Sequence, residues 1–294
     1  MILDFIHWRV SPEIFQIGVL HIRWYGLLFA ASFYFGYILF TRFFKLENIQ
    51  IEVLDRLTIY MAIGTVVGAR LGHCLFYGPL FDVYDKSGLV IEEGYLSHPF
   101  NILKVWEGGL ASHGAGIAIL LILYLFCRKE KRTYFWTLDR IVITVALAGF
   151  FIRTGNLMNS EIYGIKTSLP WGFLFEKSSS VQLGMEKLEP RHPTQIYEAL
   201  SYLLIFVLLY RLYYKAKGKP REGMLFGLFL ILTFTMRFII EFIKNPQVKF
   251  EEGMALDMGQ WLSIPFVLGG IAILYFIFRK PPPEPMLNSS QKKG

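Results

Sequence analysis

Long apolar stretches alternate with shorter polar segments along this chain, and the pattern predicts a protein that crosses a membrane several times. A stretch of about 20 apolar residues crosses a bilayer as one helix. Seven stretches reach or approach that length: 22–40, 57–77, 110–127, 138–151, 194–214, 223–243 and 258–278. We therefore expect an all-α integral membrane protein with about seven transmembrane helices, built as a single transmembrane domain over 1–278.

The segments between the stretches are unequal in length. Segments 78–109 and 153–193 are long, and loops of that length commonly cover a site or receive a partner. The chain ends in a polar, proline-rich segment, 279–294, which we expect to be a disordered tail.

Lysine and arginine indicate how the helices are oriented. The connecting segments on one side of the predicted membrane carry 17 basic residues, against 11 on the other side. The richer side comprises segments 41–56, 128–140, 211–221 and 279–294. Cytoplasmic loops carry the excess of basic residues, so this side is predicted to be cytoplasmic, with the amino terminus outside and the tail inside. The formal net charge of +7 is then explained by loops facing an anionic leaflet, without a nucleic-acid partner.

Composition supports the membrane assignment. The chain is 54% hydrophobic, and its mean hydropathy is +0.42, more than a soluble domain needs. The first twenty residues lack a basic region followed by a clean apolar core, so no cleaved signal peptide is expected. Cys74 and Cys127 both lie in apolar stretches, where we interpret them as small core residues rather than a disulfide or metal ligands.

Charged and titratable residues inside the apolar stretches share one depth. At 1.5 Å per residue, Arg70, Arg153 and Arg237 lie about 20 Å from the inner ends of their stretches. His113 and Glu198 lie about 5–6 Å below the outer ends of stretches that run inward. All five fall in the outer-leaflet third of an apolar core of about 30 Å. Because charges in a membrane are costly, we predict that they share a polar cavity open toward the outer leaflet.

Structural roles are alternatives for some of these residues. Arg153 fits an anchor at the outer end of its helix equally well. Arg70 follows a face of small residues, which favours bracing of a neighbouring helix. Glu198 fits a buried acceptor, and His192, beside a proline at a predicted helix start, also favours a structural role.

Three other residues favour function. His113 is flanked by Gly114 and Gly116, which remove bulk as a site admitting a ligand requires. Arg237 and Glu241 lie four positions apart on one helix face, in the order that stabilises a helix less, so a merely stabilising pair is disfavoured.

A basic cavity at this depth suits a lipid phosphate. The planar guanidinium of arginine matches phosphate oxygens, and His113 has the chemistry of a general base near neutral pH. The sequence contains no cluster of aspartates for Mg²⁺, no Walker loop and no zinc motif. We therefore expect chemistry without metal or cofactor, in which a phosphate leaves and the arginines stabilise the charge that develops on it.

At these residues the chain resembles the prolipoprotein diacylglyceryl transferases, integral membrane enzymes of bacteria. Seven motifs match in order through almost the whole chain. They are Ile22-Arg-Trp-Tyr-Gly, Gly68-Ala-Arg-Leu-Gly, Gly108-Gly-Leu-Ala-Ser-His-Gly, Arg153-Thr-Gly-Asn, Arg191-His-Pro-Thr-Gln-Ile-Tyr-Glu, Arg237-Phe-Ile-Ile-Glu and Met258-Gly-Gln-Trp-Leu-Ser.

The resemblance implies an activity and a site. A phosphatidylglycerol in the cytoplasmic (inner) membrane would give its diacylglyceryl group to the lipobox cysteine of a preprolipoprotein, releasing glycerol phosphate, as the first step of lipoprotein maturation. By position, His113 matches the essential histidine, and Arg153 and Arg237 match the headgroup arginines. Four further residues match polar groups that line or support the site: Tyr25, Asn156, Glu198 and Glu241.

Two other functions compete with this interpretation. An anion or lipid transporter would use the same arginines as a selectivity ring, but it requires a polar path across the membrane, and the inner halves such as 119–126 and 203–209 are almost wholly apolar. A different phospholipid-headgroup enzyme would require the metal-binding aspartates that this chain lacks.

Overall fold

The computed structural model describes residues 5–18, 20–85, 88–104, 111–245 and 255–279. This part of the chain is predominantly helical, as expected, with eight α-helices and six short strands. The strands contain two to five residues each, too few to produce a recognisable period in the sequence. The segment 280–294, expected to be disordered, lies outside the described residues.

The helices and strands are numbered in chain order. The helices are α1 (Trp24–Leu46), α2 (Ile51–Phe76), α3 (Ser112–Glu130), α4 (Tyr134–Met158), α5 (Ser179–Gln182), α6 (Thr194–Lys215), α7 (Met224–Glu241) and α8 (Met258–Arg279). The strands are β1 (Ile6–Trp8), β2 (Glu13–Ile17), β3 (Leu20–Arg23), β4 (Val83–Tyr84), β5 (Val90–Glu92) and β6 (Phe173–Phe175). A 3-10 helix covers Pro99–Leu103.

Six of these helices are long and apolar enough to cross a membrane: α1, α2, α4, α6, α7 and α8. Only 11% to 50% of each apolar span is buried within the protein, so most of this apolar surface faces outward. Apolar surface of that extent requires lipid around it, and the protein is a multi-pass membrane protein. Helix α3 is not among the six; polar residues at both of its ends leave 114–127 as its apolar part, about 21 Å of helix.

Helix α4 is longer than the sequence pattern suggests. The apolar stretch ends at residue 151, but the helix continues to Met158. Arg153 and Asn156 are therefore helical residues, three positions apart on neighbouring turns, rather than the beginning of a loop.

The chain divides into two compact units. The first unit comprises Met1–Gly36 and Ile141–Gly294, and the second comprises Tyr37–Arg140. In the first unit, β1 pairs with β6 in parallel, and β2 pairs with β3 in a hairpin that leads directly into α1. In the second unit, β4 and β5 form a hairpin between α2 and α3.

Helices α2 and α3 pack closely through glycines in the second unit. A Cβ atom at Gly68 would lie 2.2 Å from the Cβ of Ala118, and one at Gly114 would lie 2.6 Å from the Cα of Gly72. The backbone N–H of Ala111 donates to the carbonyl of Ala69 at 2.9 Å. Gly114 is thus required for helix packing, whereas a Cβ at Gly116 would meet nothing within 4 Å.

A buried ion pair also lies in the second unit. Arg140 donates from Nε and Nη2 to the two carboxylate oxygens of Glu47, each at 2.8 Å. Trp136 donates to the same carboxylate at 3.0 Å, and the guanidinium lies 4.1 Å from the centre of the Trp136 ring. The pair joins the end of α1 to the first turns of α4, with side chains only 3% and 8% exposed.

An aromatic core supports the far end of α4 in the first unit. Tyr163, Phe173 and Phe175 pack with Leu157 of α4, and Trp8 packs against the cluster. The Trp8 indole donates to the carbonyl of Leu157 at 3.0 Å. The β1–β6 pair therefore fixes the end of α4 that carries the charged residues.

Helices α7 and α8 approach each other through a glycine pair. A Cβ at Gly270 would lie 2.8 Å from the carbonyl oxygen of Gly227, so both positions need the absence of a side chain. Elsewhere α8 is mostly exposed, with 11% of its apolar span buried.

Candidate active site

A small cavity lies among α4, α6 and α7 of the first unit. Two arginines and a glutamate line it together with polar and apolar side chains. Its lining residues are Arg153, Glu198, Ser201, Tyr202, Ile205, Thr233, Met236, Arg237 and Ile240. We call it the charged cavity.

The charges of the cavity lie near one end of α6 and α7. Glu198 is in the first turns of α6, and Arg237 is four residues before the end of α7. The short segment 216–223 that joins these helices makes them antiparallel neighbours. From Glu198 to Ile205 the lining extends about 10 Å along α6. The cavity is thus charged at one end and becomes more apolar toward Ile205.

Arg153 projects from α4 and contacts the carboxylate of α6. Its Nε lies 2.9 Å from Oε2 of Glu198, and its Nη1 donates to Oδ1 of Asn156 at 3.2 Å. Within the described residues Nη2 makes no hydrogen bond. Arg153 is therefore held by a carboxylate on another helix, which argues against an outer-end anchor, and part of its guanidinium is left for a ligand.

Glu198 is shared between two cations. Its Oε2 faces Arg153, and its Oε1 lies 3.3 Å from Nζ of Lys244. Lys244 also lies 3.7 Å from Oε2 of Glu241. Glu198 and Lys244 have side chains only 5% and 4% exposed, so these charges interact at low dielectric.

Arg237, unlike Arg153 and Lys244, has no carboxylate partner within the described residues. Its Nε is buried and has no hydrogen-bond partner in the described residues, and no ion pair to Glu241 forms there. Oγ1 of Thr233, one turn earlier on α7, is also buried and unpaired in this part of the structure. Buried polar groups are nearly always satisfied in proteins, so these two lining groups are expected to meet a polar ligand. Oε2 of Glu198, also in the lining, has no hydrogen bond in the described residues either, although Nε of Arg153 lies 2.9 Å from it.

The balance of charge around the cavity is positive. Among the lining residues, Arg153 and Arg237 are positive and Glu198 is negative, which leaves an excess of one positive charge. A bound monoanion would neutralise it. This is the charge of a phosphodiester.

A further carboxylate supports Asn156 from outside the cavity. Oε1 of Glu161 accepts hydrogen bonds from Asn156 at 2.8 Å and from Asn159 at 3.2 Å. The residues on both sides of Glu161 have left-handed backbones, with φ of 52° at Ser160 and 60° at Ile162. Such a conformation is strained for a β-branched residue and frequently accompanies functional sites.

Glycines make room for two other predicted site residues. A Cβ at Gly155 would lie 2.8 Å from the ring of Tyr25, so this ring packs on α4 between Arg153 and Asn156. A Cβ at Gly259 of α8 would lie 2.6 Å from the carboxylate of Glu241. Both side chains are therefore held against backbone that only glycine allows.

The second unit contains His113 and Arg70. His113 is the second residue of α3; its side chain lies outside the described part of the structure, as do residues 108–110 of its motif. Gly114 contacts Gly72, which lies four residues before the end of α2. This turn of α3 therefore packs about 6 Å, measured along the axis of α2, before that helix ends. Arg70 donates to the carbonyls of Asn101 and Ile102, which supports its bracing role.

His192 lies just before α6, where the predicted helix start is found at Thr194. Its Nδ1 lies 3.4 Å from the hydroxyl of Tyr197, which also accepts a hydrogen bond from Trp171 at 3.0 Å. Partial burial holds the pKa of His192 below its ordinary value. It contacts aromatic side chains and does not line the charged cavity.

The structure brings together six of the residues predicted from sequence: Tyr25, Arg153, Asn156, Glu198, Arg237 and Glu241. Lys244 and Glu161 were not predicted from the sequence. Lys244 follows Glu241 by three positions and Arg237 by seven, so its helical spacing is a signal for the same face. In the described residues no group of three or more His, Cys, Asp or Glu side chains is arranged to hold a metal.

Comparison with known proteins identifies the family. A sequence model of the prolipoprotein diacylglyceryl transferase family matches residues 12–276. Proteins named phosphatidylglycerol–prolipoprotein diacylglyceryl transferase are similar over nearly their whole length: one from Tolumonas auensis is 48% identical over 92% of this chain and 96% of its own. Relatives from Chloroherpeton thalassium and Bacteroides fragilis are 41% and 40% identical, over 92% and 94% of this chain and 94% and 96% of theirs. This chain belongs to the prolipoprotein diacylglyceryl transferase family.

Proposed function

We propose that this protein transfers the diacylglyceryl group of phosphatidylglycerol to the thiol of the lipobox cysteine in a preprolipoprotein. The names of its relatives specify phosphatidylglycerol and prolipoprotein as substrates. The observation that carries the proposal here is the charged cavity, in which two arginines on different helices line one space. Family membership does not favour the transporter alternative.

The arginines suit the charge that develops in this reaction. The thiol sulfur attacks the glyceryl carbon that bears the phosphate, a C–S bond forms, and the C–O bond to phosphate breaks. The phosphodiester carries one negative charge, and the departing glycerol phosphate gains a second. Arg153 and Arg237 would stabilise that added charge. Because the charge grows only as the bond breaks, its stabilisation acts on the transition state and lowers the barrier.

The thiol must lose its proton as it attacks. An ordinary cysteine has a pKa near 8.5, so a base or a positive field assists it. We assign the base to His113, whose imidazole can accept this proton near neutral pH. The assignment rests on its chemistry, its motif and its place in the first turn of α3.

Four residues would support the headgroup arginines. Glu198 orients Arg153, and Asn156 accepts from the same guanidinium. Tyr25 packs beside them over Gly155, and Glu241 engages Lys244. We propose that these residues bind or position the lipid headgroup.

The assay that tests the proposal uses the full-length protein in detergent with phosphatidylglycerol and a synthetic lipobox peptide. Equal amounts of released glycerol phosphate and diacylglyceryl peptide are expected, also with chelator present, because the arginines hold the leaving group. A peptide with serine in place of the lipobox cysteine is the control and should remain unmodified. A folded protein that yields neither product would contradict the proposal.

The variant His113→Gln tests the assignment of the base. It removes the proton acceptor while keeping a polar side chain of similar size, so transfer should be abolished while phosphatidylglycerol still binds. Binding is measured by flotation with phosphatidylglycerol nanodiscs. Normal turnover by the folded variant would remove the assignment.

We further propose seven spans, with α3 as the seventh, in the bacterial inner membrane and with the charged cavity toward the outer leaflet. The amino terminus would then be outside and the tail inside. Lys177 and Lys217 are exposed in the segments before and after α6, so single cysteines there should react with an impermeant maleimide from opposite sides. Cys74 and Cys127 are buried and should stay unlabelled. Labelling of both introduced cysteines from one side would refute this topology.

A further inference from the structure

Lys244 contacts the site from behind rather than lining it. Its Nζ lies 3.3 Å from Oε1 of Glu198, but Lys244 is not among the residues that line the charged cavity. Glu198 thus separates it from Arg153, which faces the other oxygen at 2.9 Å.

The backbone around Lys244 is fixed by strand-like pairing. Lys244 forms an antiparallel bridge with Gly164, and the N–H of Ile165 donates to the carbonyl of Ile243 at 2.9 Å. A Cβ at Gly164 would lie 2.3 Å from that same carbonyl oxygen, so the approach requires glycine. The ammonium is therefore delivered to Glu198 from a fixed backbone, although it lies beyond the last residue of α7.

This arrangement divides the charge of Glu198 between two cations. A carboxylate that faces an arginine alone tends to take both of its N–H groups in a bidentate pair and to neutralise it. Here one oxygen of Glu198 is occupied by Lys244, so Arg153 is oriented by a single oxygen and keeps donors for a ligand.

We propose that Lys244 is a positioning residue that prevents Glu198 from neutralising Arg153, and thereby keeps Arg153 available to the phosphate of the lipid. This inference rests on the proposed function. It differs from direct phosphate binding by Lys244, because its effect requires Glu198.

A double-mutant cycle tests this dependence. Lys244→Met should raise the KM for phosphatidylglycerol in mixed micelles about tenfold, an effect of about 1.4 kcal/mol. It should also lower kcat, because a neutralised Arg153 no longer stabilises the departing phosphate. In a Glu198→Gln background the same substitution should change KM less than twofold, because no carboxylate remains to collapse onto Arg153. Lys244→Arg should restore the normal KM.

Controls separate this inference from misfolding and from failure of the proposed function. Lys166→Met removes an exposed lysine from its pair with Glu189 and should leave KM unchanged. Unfolding temperature identifies variants that fail to fold; if Lys244→Met is one, Lys244→Gln in both backgrounds completes the cycle. An inactive wild-type protein would defeat the proposed function itself. With an active wild type, an equal effect of Lys244→Met in both backgrounds, or none in either, would overturn the positioning role.

Discussion

Two buried arginine–glutamate pairs in this protein differ in how fully their hydrogen-bonding groups are used. In the second unit, Arg140 engages both oxygens of Glu47, and Trp136 donates to the same carboxylate. In the first unit, Arg153 faces one oxygen of Glu198 beside a cavity, and Arg237 nearby has a buried Nε without a partner in the described residues. Both pairs place charge in apolar surroundings, where incomplete pairing is costly.

The difference separates a structural charge from a functional one. A saturated pair has no donor left for a ligand, and its net effect is to fix the geometry of the helices that it joins. An unsaturated cluster is less stable alone and becomes complete only when an anion binds. Burial of an arginine is thus less informative than the number of its donors that remain unused.

The largest expected effect comes from breaking the saturated pair. Glu47→Leu should lower the free energy of unfolding by about 3–5 kcal/mol, because it leaves the charge of Arg140 buried and unpaired. Unfolding in detergent, followed by heat and by denaturant, measures the loss. The double variant Glu47→Leu/Arg140→Met should recover most of it, and activity per folded molecule should remain normal. A loss of activity without a loss of stability would mean that the Arg140–Glu47 pair is functional rather than structural.

Arg237→Met should show the opposite pattern. Removal of a donor that stabilises the leaving group is expected to lower kcat/KM by about 10²- to 10³-fold. The unfolding temperature should stay the same or rise, because an unpaired buried charge has been removed. The exposed Arg211 of α6 gives the matched control, Arg211→Met, with kcat/KM unchanged. A large loss of stability without a specific loss of transfer would place Arg237 with the structural charges.

The glycines beside His113 test the same distinction for small residues. Gly114→Ala should destabilise the protein by about 1–3 kcal/mol, because its Cβ would overlap the backbone of α2. Gly116→Ala, with open space around its Cβ, should be neutral or stabilising by up to about 1 kcal/mol. Thermal unfolding compares the two. Normal stability with lost lipid binding in Gly114→Ala would support its role in admitting a ligand.

The smallest effect concerns the partly buried His192. Because burial lowers its pKa, protonation is harder in the folded than in the unfolded protein. The unfolded chain therefore binds more protons between the folded pKa and about 6.5, and stability should fall as pH decreases through that range. In His192→Asn this part of the pH dependence should disappear, as measured by unfolding temperature from pH 8 to pH 5. If the unfolding temperature of the variant depended on pH as in the unmodified protein, other titratable groups would be responsible for that dependence.

Helix geometry alone predicts much of the charged cavity. Arg153, Glu198 and Arg237 were expected at one depth from the rise per residue, and the structure brings them to one space. Counting residues is informative here because a transmembrane helix is nearly straight and each charge is a rare exception in an apolar stretch. A common membrane depth for these residues, and for His113 and Arg70, stays a prediction.

Residues near chain turns were harder to predict. Lys244 lies past the end of α7, where counting residues along a helix no longer gives a depth. The partners of Arg70 are backbone carbonyls about thirty residues later, which side-chain patterns do not reveal. The β1–β6 pair joins short segments more than 160 residues apart, and no local period encodes it.

Helix α8 has a consequence for how freely this sequence can vary. Only 11% of its apolar span is buried, so at the exposed positions one apolar side chain can replace another at little cost. Gly259, against Glu241, and Gly270, against Gly227, have no such freedom. A saturation library of α8 selected for transfer activity would recover a helix permissive at its exposed positions and constrained at its four buried ones, Gly259, Gln260, Ser263 and Gly270.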